Sequence, residues 1–223
     1  MLFRSGAGTG LGYGYLIRTL NSKYYYVFAS EGGHQDFSPH NEKEWRYFTF
    51  LKNYHKVDHI SVERACAGPA IPLIFLFHAE VEKMESQIFL TREEMEKLTP
   101  EDVIKYGLSK QCRICEATLG FFVEIYGSAA GNMSLLLLPT GGIYLLGGVS
   151  VALAEYIMQS STFRVKYLFI STIYLKQKRF KHKGRLEPLL GSIPLYLVKN
   201  SLIGVKGAEV IYFMIIFRNM LEE

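Results

Sequence analysis

The stretch GAGTGLG, Gly6 to Gly12, with YGYLIRTL from Tyr13 to Leu20 behind it, governs the reading of the whole chain. Glycines at 6, 8, 10 and 12 let a backbone turn tightly and approach a polyanion, and Thr9 adds a hydroxyl donor to the backbone N–H groups. Phosphate binding is the natural chemistry of such a loop. The spacing is not G-x-G-x-x-G, and no GK[ST] triplet marks a Walker loop. Glycine-rich turns also serve structural hairpins, so the loop alone decides little. Only Met1 to Ser5 stand before it, where a full strand is normal.

Outward from the loop, YGYLIRTL and KYYYVFAS are dense in aromatic and β-branched residues and read as a hairpin about the polar turn Asn21 to Lys23. Ser38-Pro39 reads as a helix start, with Trp45, Phe48 and Leu51 as the apolar stripe and an end near Asn53. Thr91 with Glu94, and Thr99-Pro100, open two short helices. From Ser109 a longer helix presents Cys115, Leu119, Phe122, Val123 and Tyr126 on one face, with Gly127 as its stop.

No charged residue occurs between Glu124 and Glu155, a stretch long enough to span a bilayer. Pro139, Thr140, Gly141-Gly142 and Gly147-Gly148 divide it into a short apolar segment, a turn, a short strand and another turn. That is the pattern of a buried strand in a two-sided sheet, not of a membrane span. The apolar run from Val210 to Phe217 needs a partner surface to cover it.

A chain of 223 residues, 49% hydrophobic and 21% charged, buries a sizeable core and is not disordered in bulk. The net charge of +4 is modest, and most of the excess sits between Lys176 and Arg185, where Phe180 alone could stack on a base. The expectation is a solvated loop or helix end, with no nucleic acid. Three cysteines suit a reducing compartment. MLFRSGAGTG lacks the apolar core of about 7 to 15 residues that a secretory signal needs, so the expected location is cytoplasmic.

In EGGH, Glu31 and His34 flank Gly32-Gly33, so a carboxylate and an imidazole project from an open loop, a pairing suited to a polyol. Glu63 in SVERACAGPA adds a third polar group near a helix start. His55, His59 and Glu63 stand at four-residue spacing, but the pattern is not HExxH and reads as a solvated helix surface. Cys112 and Cys115 form one CxxC without a second pair, which reads as core packing.

Taken in order, GAGTGLG, EGGHQDFSP, SVERACAGPA, GGIYLLGGV and LIGVKGA resemble the bacterial-type glucokinase family of the actin-like ATPase superfamily, over nearly the whole chain. The resemblance implies an α/β fold of the actin-like (RNase H-like) type. Residues 1–197 would form mainly the large domain, and 198–223 a helix that packs on a small domain. It implies phosphorylation of glucose to glucose 6-phosphate by ATP carrying Mg²⁺, and a homodimer as in the family. Gly8, Thr9 and Gly10 would surround the ATP phosphates, and Gly147 and Gly148 would let the nucleotide approach a strand end. Glu31, His34 and Glu63 would bind sugar hydroxyls, with Glu63 serving the sugar and not the nucleotide.

The chain departs from the family in two places. An upstream DxGGTNxR loop and an Asn-Asp pair, whose aspartate is the family's general base, do not occur. No catalytic residue or metal ligand is therefore assigned. The expectation is a chain that lacks the N-terminal catalytic portion and turns over poorly alone. Residues 164–183 read as an insert without a fixed place in the fold. The alternative from another class is a non-catalytic sugar- or nucleotide-binding regulator.

Overall fold

The first strand, β1 (Leu2–Ala7), alternates as a half-buried strand should, with Phe3, Ser5 and Ala7 inside and Arg4 outside. In the computed structural model, which describes residues 1–19, 25–84, 91–159, 166–167, 178–200, 202–203 and 205–208, it pairs antiparallel with β2 (Leu11–Ile17). Gly6 stands opposite Gly12, so the turn is only Gly8, Thr9 and Gly10 and not the whole of Gly6 to Gly12 as expected. The outer glycines belong to strands because the ladder hydrogen bonds continue through them. β3 (Tyr26–Ser30) pairs antiparallel with β2, as the expected hairpin requires; its turn at residues 21–23 lies outside the described residues.

On the other side of β1 the sheet turns parallel. β4 (Ile143–Leu146) pairs with β1, β6 (Leu195–Leu197) with β4, and β5 (Lys166–Tyr167) with β6, giving the order β3-β2-β1-β4-β6-β5. Phe3, Ile143, Leu145, Leu195 and Leu197 make this centre part of the core.

Helix α1 (Glu42–His55) starts three residues later than Ser38-Pro39 suggests, because the Asn41 side chain accepts the Glu44 N–H at 2.9 Å. Its buried face is Glu44, Tyr47 and Leu51; Trp45 is 55% exposed, so the stripe is rotated from the one expected. The helix also runs beyond Asn53 to His55, where Lys56 caps it in the left-handed conformation. Next come α2 (Val62–Cys66) and the almost wholly buried α3 (Ala70–Glu80). α4 (Arg92–Glu96) begins at the expected capping box, Thr91 with Glu94, and α5 (Pro100–Leu108) at the expected Thr99-Pro100, where Asp102 completes a second box.

Helix α6 (Arg113–Leu137) buries all five residues expected on its face, but starts after Cys112 and not at Ser109. Gly127 does not stop it; the helix continues to Leu137 and ends on a left-handed Leu138. Burial of Ala129, Ala130 and Met133 beyond Gly127 offsets the glycine's cost of about 1 kcal/mol. The apolar segment before Pro139 is thus the end of this helix. Among the described residues no helix is long and apolar enough to cross a membrane. The chain then forms α7 (Gly148–Ala152), α8 (Ala154–Gln159), α9 (Lys178–Lys181) and α10 (Glu187–Ser192).

The expectations for the basic run and for residues 164–183 fail at α9. Phe180 is fully buried, Arg179 is ion-paired with the buried Glu44, and Lys183 Nζ donates to Asn132 Oδ1. His40 Nε2 and His182 Nδ1 stand 3.1 Å apart. Residues 178–183 therefore have a fixed place against α1 and α6. The rest of 164–183, apart from Lys166–Tyr167, lies outside the described residues, as do Val210 to Phe217 and most of 198–223.

Candidate functional site

The site is built around α2. Ser61 caps it by accepting the Arg64 N–H at 3.2 Å, which sets Glu63 in the first turn. Glu63 Oε2 then accepts the Leu11 N–H at 2.7 Å, at the far side of the glycine turn. The fit is close: a Cβ at Gly10 would lie 2.6 Å from that oxygen, so the position excludes any side chain unless the carboxylate moves. Beyond the other end of α2, the Gly68 N–H donates to Gly8 O at 2.7 Å, and the Gly8 N–H donates to Gly10 O at 2.9 Å. One short helix thereby fixes both arms of the turn and leaves Thr9 exposed at its tip.

Glu31 and His34 are brought to the same place by a 3-10 turn, Gly32–His34, in which the His34 N–H donates to Glu31 O at 2.9 Å. The following residues tie this turn to α2. The Val62 N–H donates to Gln35 O at 2.9 Å, and Asp36 bridges Ser61 in an antiparallel pair. As a result His34 Nε2 lies 3.7 Å from Glu31 Oε2, and His34 Nδ1 lies 4.0 Å from Glu63 Oε1. Glu63 is the least exposed of the three and Glu31 the most. The two carboxylates and the imidazole face one region beside the turn.

Gly147 joins β4 to α7 with φ +97°, a conformation that favours glycine, and a Cβ there would lie 2.3 Å from Ala7 O. Gly147-Gly148 accordingly pass against the end of β1, just before the Gly8 turn. All eight residues read from the sequence, Gly8, Thr9, Gly10, Glu31, His34, Glu63, Gly147 and Gly148, belong to this one face of the fold. Glu63 also has a structural part, because one of its oxygens holds the glycine turn.

Sequence reasoning missed two contributors. Gly68 was visible only as the end of a turn, and its amide reaches Gly8 through the tertiary fold. Tyr126 fell on the apolar face of α6, yet its hydroxyl donates to Ser5 O at 3.1 Å and lies 3.4 Å from Ser150 Oγ. No local pattern separates such a tyrosine from its apolar neighbours.

The three residues at four-residue spacing do not gather here. His55 ends α1, whereas His59 lies past it and stands 3.0 Å from Asp36. Among the described residues no group of three His, Cys, Asp or Glu could hold a metal ion. Cys112 and Cys115 are buried, with the Cys115 N–H donating to Cys112 Sγ at 3.4 Å, and burial pushes the Cys115 thiol upward.

A site with carboxylates and an imidazole beside an exposed glycine turn can hold hydroxyl groups next to an anion. Comparison with known proteins bears on the family and the fold. The family model described as Glucokinase matches residues 3–214. The glucokinase of Nostoc punctiforme is 39% identical over 214 residues, covering 91% of this chain and 58% of the relative. That of Synechocystis sp. is 33% identical over 216 residues, covering 92% and 57%. The chain thus spans less than two thirds of the length of these relatives.

Among solved structures, a glucokinase from an Antarctic psychrotroph superposes with a TM-score of 0.69 at 24% identity, covering 90% of this chain and 54% of that one. The Balamuthia mandrillaris glucokinase, solved in complex with glucose, gives 0.70 at 17% identity, covering 88% and 49%. These likenesses show the expected α/β fold of the actin-like type.

Proposed function

The chain belongs to the glucokinase family, and we propose that it carries the sugar site and the phosphate turn of an ATP-dependent glucokinase. Glu31, His34 and Glu63 hydrogen-bond the hydroxyls of glucose. An analogue lacking one hydroxyl leaves one of these groups unpaired, which gives the site its discrimination. Gly8, Thr9 and Gly10 surround the phosphates of ATP, with the Thr9 hydroxyl as a donor and the Gly8 N–H closing the turn on Gly10 O, and Gly147-Gly148 flank the nucleotide. Mg²⁺ carried by ATP would neutralise charge on the γ-phosphoryl, whose bond to the ADP oxygen breaks as its bond to the 6-hydroxyl oxygen of glucose forms, with release of ADP and of the hydroxyl proton.

The observation that carries this reading is the double engagement of Glu63, 2.7 Å from the turn amide of Leu11 on one oxygen and 4.0 Å from His34 on the other. A sugar held by that carboxylate lies beside the turn that would hold the phosphates, which is the proximity phosphoryl transfer needs. The turn also fits an anion. It is pinned from the protein side at Gly8 and Leu11 and exposed at Thr9.

We assign residues 1–197 mainly to the large domain, place the protein in the cytoplasm, and expect the homodimer of the family. No residue of this chain is assigned as the general base, which favours as second reading a sugar- or nucleotide-binding regulator. Measuring glucose binding and glucose 6-phosphate formation on one sample separates the two. Turnover that appears or rises when the family's N-terminal segment is supplied supports the kinase. Tight binding of glucose with no turnover under any such condition supports the regulator, and absence of binding defeats both.

A further inference from the structure

Two glycine segments meet at the end of β1, and the residue that touches the supports of both is Tyr126. Its ring is packed within α6 beside Phe122, their centroids 6.1 Å apart, and the side chain is 1% exposed. The hydroxyl leaves this apolar setting on the underside of the turn. It donates to Ser5 O, in the strand that runs into Gly8, and stands 3.4 Å from the hydroxyl of Ser150, in the helix that follows Gly147-Gly148. Ser5 and Ser150 are themselves buried. Burial pushes the phenol up to about 12, against the pull of hydrogen bonds with Ser150, Ser5 and the Ala7 backbone, so the group keeps its proton and can donate.

We propose that Tyr126 is a positioning residue for the nucleotide: its hydroxyl, bonded to β1 and beside Ser150 of α7, fixes the Gly8–Gly10 turn and Gly147-Gly148 relative to one another as a single cradle. The proposal rests on the kinase reading above, in which the nucleotide touches both segments. On the α2 side the turn is held by Glu63, which the kinase reading gives to the sugar, and by Gly68 just beyond α2. On the β4–α7 side the β1–β4 ladder runs as far as Gly6 opposite Leu146, and beyond it Gly147 abuts Ala7 O. The Tyr126 hydroxyl adds a side-chain tie from β1 to α7, past the end of that ladder. A buried hydroxyl in contact with two partners resists displacement, because moving it leaves both without that partner in a dry place.

Removing the hydroxyl should therefore loosen nucleotide binding and leave sugar binding alone, since Glu31, His34 and Glu63 are held by other contacts. Tyr126→Phe keeps the ring and its packing. The test is displacement of a trinitrophenyl-labelled ATP by ATP, with calorimetric titration of glucose on the same preparations, for the full chain and for Tyr126→Phe, Ser150→Ala and the double variant. The expected result is a loss of nucleotide affinity of about 3- to 10-fold in each single variant, no further loss in the double variant, and an unchanged glucose affinity.

Unchanged nucleotide affinity in Tyr126→Phe, additive losses in the double variant, or an equal loss for glucose overturns the assignment. If Tyr126→Phe does not fold, Ser150→Ala alone decides between these outcomes. Failure of the unsubstituted chain to bind nucleotide overturns the kinase reading itself, and the inference with it. Nucleotide binding that is indifferent to both hydroxyls overturns the inference alone.

Discussion

The glycine turn and the α9 contact are both well anchored, but by different means. At the turn, backbone amides and one carboxylate hold other backbone: Gly68 on Gly8, Glu63 on Leu11, Gly147 against Ala7. At α9, side chains hold side chains: Arg179 on Glu44, His182 on His40, Lys183 on Asn132, with Phe180 buried beneath. Backbone anchoring fixes a shape to which ligands can be fitted. Side-chain anchoring fastens one segment to another and leaves the ligand face untouched.

The largest effect that separates them should come from Arg179→Met. Glu44 is 1% exposed, and losing Arg179 leaves a buried carboxylate without a counter-charge, held only by the His40 N–H at 2.8 Å and the Asn41 amide at 3.2 Å, at a cost of about 4 kcal/mol. Urea unfolding should show this loss while glucose affinity of the folded protein stays unchanged. Weakened glucose binding would mean that the two regions are not independent.

Gly147→Ala should cost about 3 kcal/mol, because a side chain there meets both the positive φ and the Ala7 carbonyl. Unlike Arg179→Met it should also weaken nucleotide binding in the protein that remains folded. Equal nucleotide affinity in the two variants would erase the contrast drawn here.

The smallest effect is one of pH. Burial first, then Arg179, His182 and Lys183, push the His40 imidazole below its ordinary value of 6.5. A lowered folded value means that the unfolded chain binds the proton more readily. The contact is therefore fully present above about pH 6.5 and weakens as pH falls below it. The protection factors at residues 178–183, with the intrinsic pH dependence of amide exchange divided out, should fall between pH 7.5 and 5.5 in the native sequence and change less in His40→Ala. The same fall in both would assign the pH dependence elsewhere.

Most of the turn was legible in the sequence because backbone geometry restricts residue choice. A position such as Gly10, with a carboxylate where a Cβ would lie, or Gly147, with a positive φ, leaves glycine in the chain as a visible trace. Thr91 and Thr99 were legible for a similar reason, since a cap and its amide are near in sequence. The rest was not. Glu44 meets Arg179 across 135 residues, so a charge run that looks solvated can hide a buried ion pair. The stripe of α1 was misread because Trp45 is apolar yet exposed, while the acidic Glu44 is inside. Gly127 carried the signal of a helix stop, but packing beyond it overrode local propensity.

The measurement that bears most directly on the account is calorimetric titration of glucose into the chain and into Glu63→Gln. Glutamine can still accept the Leu11 N–H, so the turn should keep its shape while the carboxylate is lost on the side facing His34. The account predicts glucose affinity lowered by about 10-fold or more, as for removal of a charged hydrogen-bonding partner, with nucleotide affinity nearly unchanged. Undiminished glucose binding in Glu63→Gln would contradict the claim that this face of the fold is a sugar site.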